Sequence, residues 1–591
     1  MTTAQLEKGA GCTAFERPER MTDPSAPLRD AERGHTLHPA KWWIAAGIFF
    51  TVLAAYILSS PGRIDIIDGQ TRYDVTRNWL LEGRPVLTDS WIGPYMGVVG
   101  RDDRVYSLYG APASVFAMPL VWLDLHSGSP SIERSRFLFS LTSPILGAGI
   151  AVVLFLFFVE LGLPRQWALV WSMVSSFSSL VWPASNSTFD NAQHAFFAIA
   201  SLYLGFLSAK RASTLLAAVA GSLAGILVLY QEYFLLIIPV LAISTVACAP
   251  ARSSWDEEEL PSAPQSPSNG PRAWFALLRT AFRGPGEARS SCIRLVVFLA
   301  AATFGLLLSL AYNDLRFGTY LLFGKVHAIV NRHPLFGNPL AGSLTLLVSP
   351  GKSIFLYSPT IVLGILGIRS LWRRHPALAF AISAASLILI LFLSCIAFVG
   401  GDWCWGPRYL VSLLPAWALA MPFALRDRKV RRDVVLGIIA LGLLVQVLAL
   451  SVENQRFFLE RGLNDYFWAE DPWFYFKHSA IFARIGETLS LNRGLPATAQ
   501  LFNSIPIPDW STYSLLGPPP FAPRSIAPVW MRGFKIFYLP RPWPLWMAWI
   551  PPAMRPINMR AWVLGLLAVN LLGIGLIYRG LRIRGDHEQR V

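Results

Sequence analysis

Charged residues are scarce in this chain. Only 15% of its 591 residues are Asp, Glu, Lys or Arg, whereas about a quarter of the residues of a soluble globular protein are charged. Hydrophobic residues make up 53% of the chain, and the mean hydropathy is +0.44. This composition excludes an ordinary soluble protein and predicts an all-α polytopic membrane protein.

Several chemical signatures are also missing. The five cysteines are scattered and form no CxxC or His-rich spacing, which argues against a disulfide framework or a structural zinc site. The sequence has no P-loop and no GxGxxG that opens a helix after a strand, so nucleotide-driven chemistry is not expected. No Ser/His/Asp or Cys/His arrangement indicates a covalent enzyme intermediate.

The net charge of +15 reflects 51 Lys and Arg against 36 Asp and Glu. The basic residues occur in short clusters between apolar segments, which is the distribution that sets membrane orientation. We therefore expect the lipid bilayer as a partner and no nucleic acid.

Apolar segments and basic clusters together predict about twelve transmembrane helices, with both termini cytoplasmic. The predicted spans are Trp42–Ser60, Phe137–Glu160, Trp167–Pro183, Asn191–Ser208, Leu215–Tyr230, Tyr233–Ala249, Leu295–Tyr312, Ser353–Ile368, Leu378–Val399, Tyr409–Leu425, Val434–Leu450 and Ala561–Tyr578. Ala111–Leu125 is too short for a clean span and is interpreted as a juxtamembrane or re-entrant helix.

The predicted domains follow from these spans. Residues 1–40 form a disordered cytoplasmic tail, residues 41–450 the transmembrane domain, residues 561–579 the last span and residues 580–591 a second tail. Within the transmembrane domain, residues 61–136 form the first outer loop and residues 250–292 a flexible cytoplasmic loop. Residues 451–560, rich in Pro and aromatic residues, form a small outer domain.

The first outer loop carries the most informative polar pattern. Asp68, Arg72 and Tyr73 precede an apolar pair and a glycine, which predicts a short amphipathic helix along the membrane surface. An acid at the mouth of a span indicates either a functional site or a helix cap. Asp190 allows the same two interpretations, and Glu232 lies in a tight outer turn.

Two later segments also face the outer side in this topology. In Gly400–Pro415, Asp402 and the aromatic rings of Trp403 and Trp405 offer contacts to a sugar, and Arg408 offers paired donors to a phosphate. The alternative is an interfacial aromatic belt with a snorkelling arginine. Lys352 follows a Pro-Gly turn, where it is either a phosphate ligand or an anchor to lipid headgroups.

Together these residues resemble the GT-C superfamily of integral membrane glycosyltransferases, particularly bacterial proteins related to protein O-mannosyltransferases and to the lipid A aminoarabinose transferase. The matching residues are Asp68, Arg72, Tyr73, Asp190 and the GPRYL around Arg408. The sequence departs from the family pattern in having Asp68 followed by Gly69 rather than a second acid.

The resemblance implies transfer of a sugar from a polyprenyl-phosphate-linked donor to an acceptor hydroxyl, with inversion, on the outer face of a bacterial plasma membrane. Asp68 and Asp190 are then the catalytic acids, with Asp68 as general base, while Arg408 and Lys352 bind the donor phosphate. Arg72, Tyr73, Glu232, Asp402, Trp403 and Trp405 are expected to bind substrate. The resemblance leaves open the sugar, the acceptor (glycan, lipid or protein) and a divalent metal ion.

Two other functions are considered. A lipid-linked glycan polymerase or ligase also has many spans and outer arginines, but the early acid of the first loop argues against it. A multi-pass transporter should carry polar residues near the bilayer midplane and internal symmetry, whereas here the polar residues lie at one face.

Overall fold

The computed structural model describes residues 39–88, 96–246, 285–330, 334–401, 403–426, 430–461, 471–491, 540–548, 552 and 555–583. Predicted features outside these ranges, including Asp402, nearly all of the N-terminal tail and most of residues 250–292 and 451–560, lie outside the described residues.

The described chain is mostly helical. Its α-helices are α1 Pro39–Ser59, α2 Ile67–Glu82, α3 Pro112–Leu125, α4 Ile132–Ser140, α5 Thr142–Glu160, α6 Arg165–Phe177, α7 Val181–Ser185, α8 Asn191–Arg211, α9 Thr214–Tyr230, α10 Ile238–Ile243, α11 Pro285–Phe317, α12 Gly324–Val330, α13 Pro339–Leu347, α14 Ile354–Tyr357, α15 Ile361–Arg374, α16 Pro376–Ser394, α17 Leu414–Ala418, α18 Met421–Arg426, α19 Arg432–Ser451, α20 Asn454–Arg461, α21 Ala480–Leu491, α22 Trp543–Met547 and α23 Met559–Arg582. Short 3-10 helices include Glu232–Ile237 and Arg408–Leu413. Strands β1 Gly97–Val99 and β2 Val105–Ser107 pair antiparallel, with Val98 opposite Tyr106.

Seven helical segments of the described chain are long and apolar enough to cross a membrane. They are Ala40–Ser59, Ile132–Glu160, Asn191–Arg211, Arg289–Phe317, Pro376–Ser394, Arg432–Ser451 and Met559–Arg582. Each overlaps a span predicted from the sequence. The protein is therefore a multi-pass, mostly helical membrane protein, while the count of about twelve spans stays a prediction.

The other five predicted spans are shorter or interrupted. The segment Tyr409–Leu425 is divided into a 3-10 helix and the short helices α17 and α18. Ser353–Ile368 breaks between α14 and α15. Proline lacks the amide hydrogen that continues a helix, and Pro359, Pro415 and Pro422 lie at or beside these breaks. A hydropathy window counts apolar residues and does not register such breaks.

The first and last spans pack against each other along their length. Gly47 of α1 lies so close to α23 that an added Cβ atom would stand 2.5 Å from the carbonyl oxygen of Gly573. Close approach of backbones through small residues is a common mode of helix packing in membranes. This contact brings the C-terminal part of the chain beside its beginning.

Helix α2 differs from its predicted position on the membrane surface. All ten residues from Ile67 to Thr76 are buried, so the helix is enclosed by protein rather than lying along a lipid surface. Its far end is fixed by the loop that follows, because the Asn78 side chain donates to the Val86 carbonyl and Asp74 accepts from the Thr88 amide. Helix α3 confirms the short helix expected at Ala111–Leu125.

The described part of the C-terminal region is attached to the end of α1. Trp543 donates its indole hydrogen to the Ile57 carbonyl at 2.8 Å, and Trp546 donates to the Pro61 carbonyl at 2.9 Å. Both rings are almost fully buried. The separate outer domain expected at residues 451–560 stays a prediction.

Candidate active site

Asp68 and Arg72 lie one turn apart at the beginning of α2 and point to the same buried cavity. Residues four apart share a helix face. Gly69 follows Asp68 and packs closely against the next loop. An added Cβ atom at this position would stand 2.1 Å from the Thr188 hydroxyl oxygen. This close approach explains why Asp68 is followed by glycine instead of a second acid.

Arg408 pairs with Asp68. Its Nη1 atom lies 3.2 Å from Asp68 Oδ2, and the two side chains are only 9% and 5% exposed. Arg408 begins the 3-10 helix Arg408–Leu413, directly after Pro407. Its guanidinium also stacks on the Phe189 ring, 4.1 Å from the ring centroid. The structure thus brings together an acid and a cation separated by 340 residues.

Asp190 pairs with Arg72. The Arg72 guanidinium donates to Asp190 Oδ2 at 2.6 Å, and His194 Nε2 lies 3.5 Å from the same oxygen. Asp190 occupies the N-cap position of α8, but its side chain caps no backbone amide. Burial raises its pKa, yet the charges of Arg72 and His194 outweigh burial and hold the pKa well below its usual range. Asp190 is therefore an ionised partner of Arg72 at neutral pH.

These two pairs line one polar cavity of about 230 Å³, called here the polar cavity. Its lining residues are Asp68, Arg72, Tyr109, Asp190, Asn191, His194, Gln231, Tyr233, Lys325, Arg408 and Tyr409. Counting Asp68 and Asp190 against Arg72, Arg408 and Lys325 leaves a net charge of +1 before His194 is counted. A buried cavity with excess positive charge suits an anionic group.

Seven of the lining residues were not predicted as site residues. They are Tyr109, Asn191, His194, Gln231, Tyr233, Lys325 and Tyr409. Lys325 contacts Gln231 Oε1 at 3.5 Å and lies near the rings of Tyr109 and Tyr409. It is the second residue of the short helix α12, where a lysine has no sequence signal that separates it from a solvated one.

A second, larger cavity of about 420 Å³ adjoins the first and is called here the Trp cavity. It shares Arg408 and Asn191 with the polar cavity. Its other lining residues are Asp65, Leu180, Pro183, Ala184, Ser187, Phe189, Trp403, Cys404, Trp405, Val411, Asn454 and Arg541. Trp403 stacks on Phe458, and Trp405 packs edge-on against Tyr357. The two tryptophans thus adjoin Arg408 at a mostly apolar wall.

Lys352 lies outside the lining of both cavities. Its ammonium group is buried and donates to the carbonyl oxygens of Cys404 at 3.1 Å and Gly406 at 3.3 Å. These bonds hold the turn that leads from Trp403 to Arg408. Its predicted contact with the donor phosphate stays a prediction.

Tyr73 and Glu232 also lie away from the polar cavity lining. Tyr73 packs edge-on against Phe139 on the opposite side of α2, and burial raises the pKa of its hydroxyl. Burial likewise raises the pKa of Glu232, against the lowering effects of a backbone hydrogen bond and of the charges of Lys325 and Arg316. Glu232 is the neighbour of the lining residue Gln231. Their predicted substrate contacts, like that of Asp402, remain untested.

A network of buried ion pairs joins the loops around the Trp cavity, which two members of the network, Asp65 and Arg541, help to line. Arg63 donates to Glu453 at 2.6 Å, and Arg541 contacts Asp65 at 3.1 Å. Asp65 in turn accepts from the amide and the hydroxyl of Thr188, two residues before Asp190. The network therefore joins the first loop, the end of α19 and the C-terminal segment to the loop that carries Asp190.

No cluster of three or more His, Cys, Asp or Glu side chains suited to a metal ion is found within the described ranges. Asp68 and Asp190 each accept from an arginine instead. A divalent ion stays a prediction from the resemblance.

Comparison with known proteins gave no matching family model and no matching curated protein. Solved structures do align. ArnT from Cupriavidus metallidurans bound to undecaprenyl phosphate is 13% identical, with 90% of this chain and 77% of that chain covered and a TM-score of 0.41. The apo oligosaccharyltransferase of Archaeoglobus fulgidus is 13% identical, with 82% and 60% covered and a TM-score of 0.38.

One of these aligned proteins, ArnT, is the lipid A aminoarabinose transferase named in the predicted resemblance. The likeness concerns the fold and assigns no role to this chain. The Archaeoglobus fulgidus enzyme in complex with Zn and sulfate also aligns, at 13% identity and a TM-score of 0.36, covering 81% of this chain and 57% of that one. The chain thus spans less than two thirds of the oligosaccharyltransferase chains.

Proposed function

We propose that the protein is a membrane glycosyltransferase that moves a sugar from a polyprenyl-phosphate-linked donor to an acceptor hydroxyl. The observation that carries the proposal is the buried pair of Asp68 and Arg408, 3.2 Å apart in the wall of the polar cavity. The reaction needs a base for the acceptor proton and a cation for the leaving phosphate. Here the two groups are adjacent.

In the proposed reaction the acceptor oxygen attacks the anomeric carbon as the bond from that carbon to the phosphate oxygen breaks. The proton of the acceptor hydroxyl passes to Asp68, and the electron pair of the broken bond stays on the polyprenyl phosphate. Arg408, and with it Lys325, stabilises the charge that develops on the phosphate. Attack on the face opposite to the phosphate inverts the configuration, and no covalent enzyme intermediate forms.

Asp190 has a supporting role in this proposal. Because its pKa is held low by Arg72 and His194, it is a weak base at neutral pH. It instead fixes Arg72, whose guanidinium also lies 4.2 Å from the centre of the Tyr109 ring. Arg72 is thereby oriented toward the anionic or hydroxyl groups of the substrate.

Because both cavities share Arg408, we propose that the donor occupies both of them. With the phosphate at Arg408, the aromatic wall of the Trp cavity is available for the flat face of a sugar or an isoprenoid unit, through Trp403 and Trp405. The donor phosphate competes with Asp68 for the Arg408 donors, so donor binding weakens the ion pair and leaves the Asp68 carboxylate available to the acceptor. We place this site on the outer face of a bacterial plasma membrane, with a glycan, lipid or protein as acceptor.

The test uses the purified full-length protein reconstituted in liposomes with a panel of radiolabelled polyprenyl-phosphate monosaccharides. Wild type should release polyprenyl phosphate from one donor, and Asp68→Asn should lower the rate by about 10²–10⁴-fold. The matched control is Asp102→Asn, in the same loop, where the exposed acid pairs with Arg84 at the surface. It should retain full activity.

Two outcomes would count against the proposal. Turnover at the wild-type rate by a folded Asp68→Asn variant would remove Asp68 as the base. Consumption of long lipid-linked glycans, with no monosaccharide donor used, would instead indicate the polymerase or ligase, and solute flux without any chemistry would indicate the transporter.

A further inference from the structure

A group of cations surrounds Glu160, at the end of α8 that lies away from the polar cavity. Glu160 ends α5, and cations from two other helices converge on its carboxylate. Lys210 of α8 lies 2.7 Å from Oε2, while Arg211 of α8 and Lys41 of α1 lie 3.5 Å and 3.6 Å from Oε1. These four residues are called here the basic cluster.

The basic cluster carries excess positive charge. Three cations face one acid, which leaves +2. The contacts of Lys41 and Arg211 are longer than ordinary hydrogen bonds, so Glu160 does not use up their donors. The side chains of Lys210 and Arg211 are 38% and 47% exposed. Their remaining N–H groups are therefore accessible to an anion.

The surrounding residues indicate the same positive field. Nearby His375 lies between α15 and α16, with its ring edge-on to Phe206 of α8. Burial, and after it the charges of Arg374 and Lys210, lower the pKa of His375 from 6.5 to about 4. The positive charge of Lys210 thus reaches the ring of His375, although burial is the larger cause.

The position of the basic cluster matches the depth of a lipid headgroup. Helix α8 runs from Asn191 to Arg211, and 21 residues of helix span about 30 Å, which is the thickness of the hydrocarbon core. The exposed ring of Trp42 lies 5.6 Å from Lys41 Nζ. Tryptophan prefers the membrane interface. Leu215, 72% exposed, provides apolar surface just beyond Arg211 in the chain.

We propose that Lys41, Lys210 and Arg211 bind the phosphodiester of an anionic phospholipid in the leaflet at this end of the protein. The phosphate oxygens accept from the three side chains, and the acyl chains lie against the exposed apolar residues. Basic sites between helix ends are the sites at which anionic lipid headgroups bind. The exposed apolar surface beside the cations favours a lipid over a soluble anion. The site is independent of the proposed glycosyl transfer.

The experiment measures binding of dioleoylphosphatidylglycerol to the purified full-length protein in a neutral detergent, by native mass spectrometry. Dioleoylphosphatidylcholine and inorganic phosphate are run in parallel. Each lost charge should weaken phosphatidylglycerol binding about fivefold, so Lys210→Gln with Arg211→Gln should weaken it about 25-fold. Glu160→Gln, which removes the competing acid, should tighten it.

The matched control is Arg431→Gln with Arg432→Gln, which removes the same charge from exposed positions at the start of α19. It should change the affinity by less than twofold. If the double variant at the basic cluster fails to fold, Arg211→Gln alone gives the same test, because it should weaken phosphatidylglycerol binding about fivefold.

Three results would overturn the proposal. One is unchanged phosphatidylglycerol affinity in the folded basic-cluster variants. Another is equal binding of phosphatidylcholine. The third is displacement of phosphatidylglycerol by an equal concentration of inorganic phosphate, which would indicate a soluble-anion site.

Discussion

The two ends of α8 carry the same kinds of charge in opposite surroundings. At its beginning, Asp190 and Arg72 pair at 2.6 Å with side chains only 8% and 3% exposed. At its end, Lys210 and Arg211 meet Glu160 with their own side chains 38% and 47% exposed. Buried charges are oriented and interact strongly, while exposed ones are screened by water and salt. The first end therefore suits the proposed chemistry, and the second suits the proposed binding of an anionic lipid.

The largest stability effect is expected from the buried network beside the site. Glu453, 1% exposed in its side chain, accepts from Arg63 and lies 3.8 Å from Arg541. Glu453→Gln leaves buried arginine charge uncompensated and should lower the free energy of unfolding by about 3–5 kcal/mol. Thermal unfolding in detergent checks this. The control is Asp433→Asn, whose exposed pair with Arg431 is screened by water, so its loss should leave the free energy of unfolding nearly unchanged. Equal losses in both variants would erase the contrast between buried and exposed pairs.

The next effect concerns the chemistry of the polar cavity. Arg408→Ala removes the cation beside Asp68 and should lower the transfer rate by about 10²–10³-fold, or about 2.7–4 kcal/mol. The same loss should be absent from Arg101→Ala, whose half-exposed side chain pairs with Asp314. Rates are measured with the labelled donors. An Arg408→Ala protein that is folded and fully active would place the leaving phosphate elsewhere.

His375, near the basic cluster, predicts a dependence of protein stability on pH. The pKa of His375 is lowered from 6.5 to about 4 in the folded protein. Between these pH values the unfolded chain binds a proton that the folded protein does not, so stability falls as the pH decreases from about 6.5 to about 4. The loss should approach about 3 kcal/mol. His375→Asn should flatten this part of the stability curve, whereas His126→Asn, at an exposed position, should leave it unchanged.

The smallest stability effect is expected at the exposed ion pairs. Arg211→Gln should change the free energy of unfolding by less than about 1 kcal/mol, because its side chain is 47% exposed. Chemical denaturation in detergent measures the change. A loss of several kcal/mol would show that the basic cluster holds the helices together, and the contrast between the two ends would then fail.

Much of the site follows from the sequence, but its pairings do not. The positions of Asp68, Arg72, Asp190 and Arg408 beside apolar runs single them out, since charge next to a membrane segment is costly. Their partners depend on contacts between residues 118 and 340 positions apart. Lys352 has the same local signal as Arg408, yet its ammonium group binds the Cys404 and Gly406 carbonyls.

The sequence by itself determined the membrane class and the positions of seven long helices, because burial of apolar residues in lipid needs only a continuous run of them. It also determined which loops carry acids and cations. Only the tertiary structure decided that α2 is enclosed by protein, that Lys325 and His194 join the polar cavity, and that three cations meet at Glu160. These features arise from packing between distant helices, and no local pattern of residues encodes which distant side chain will fill a given space.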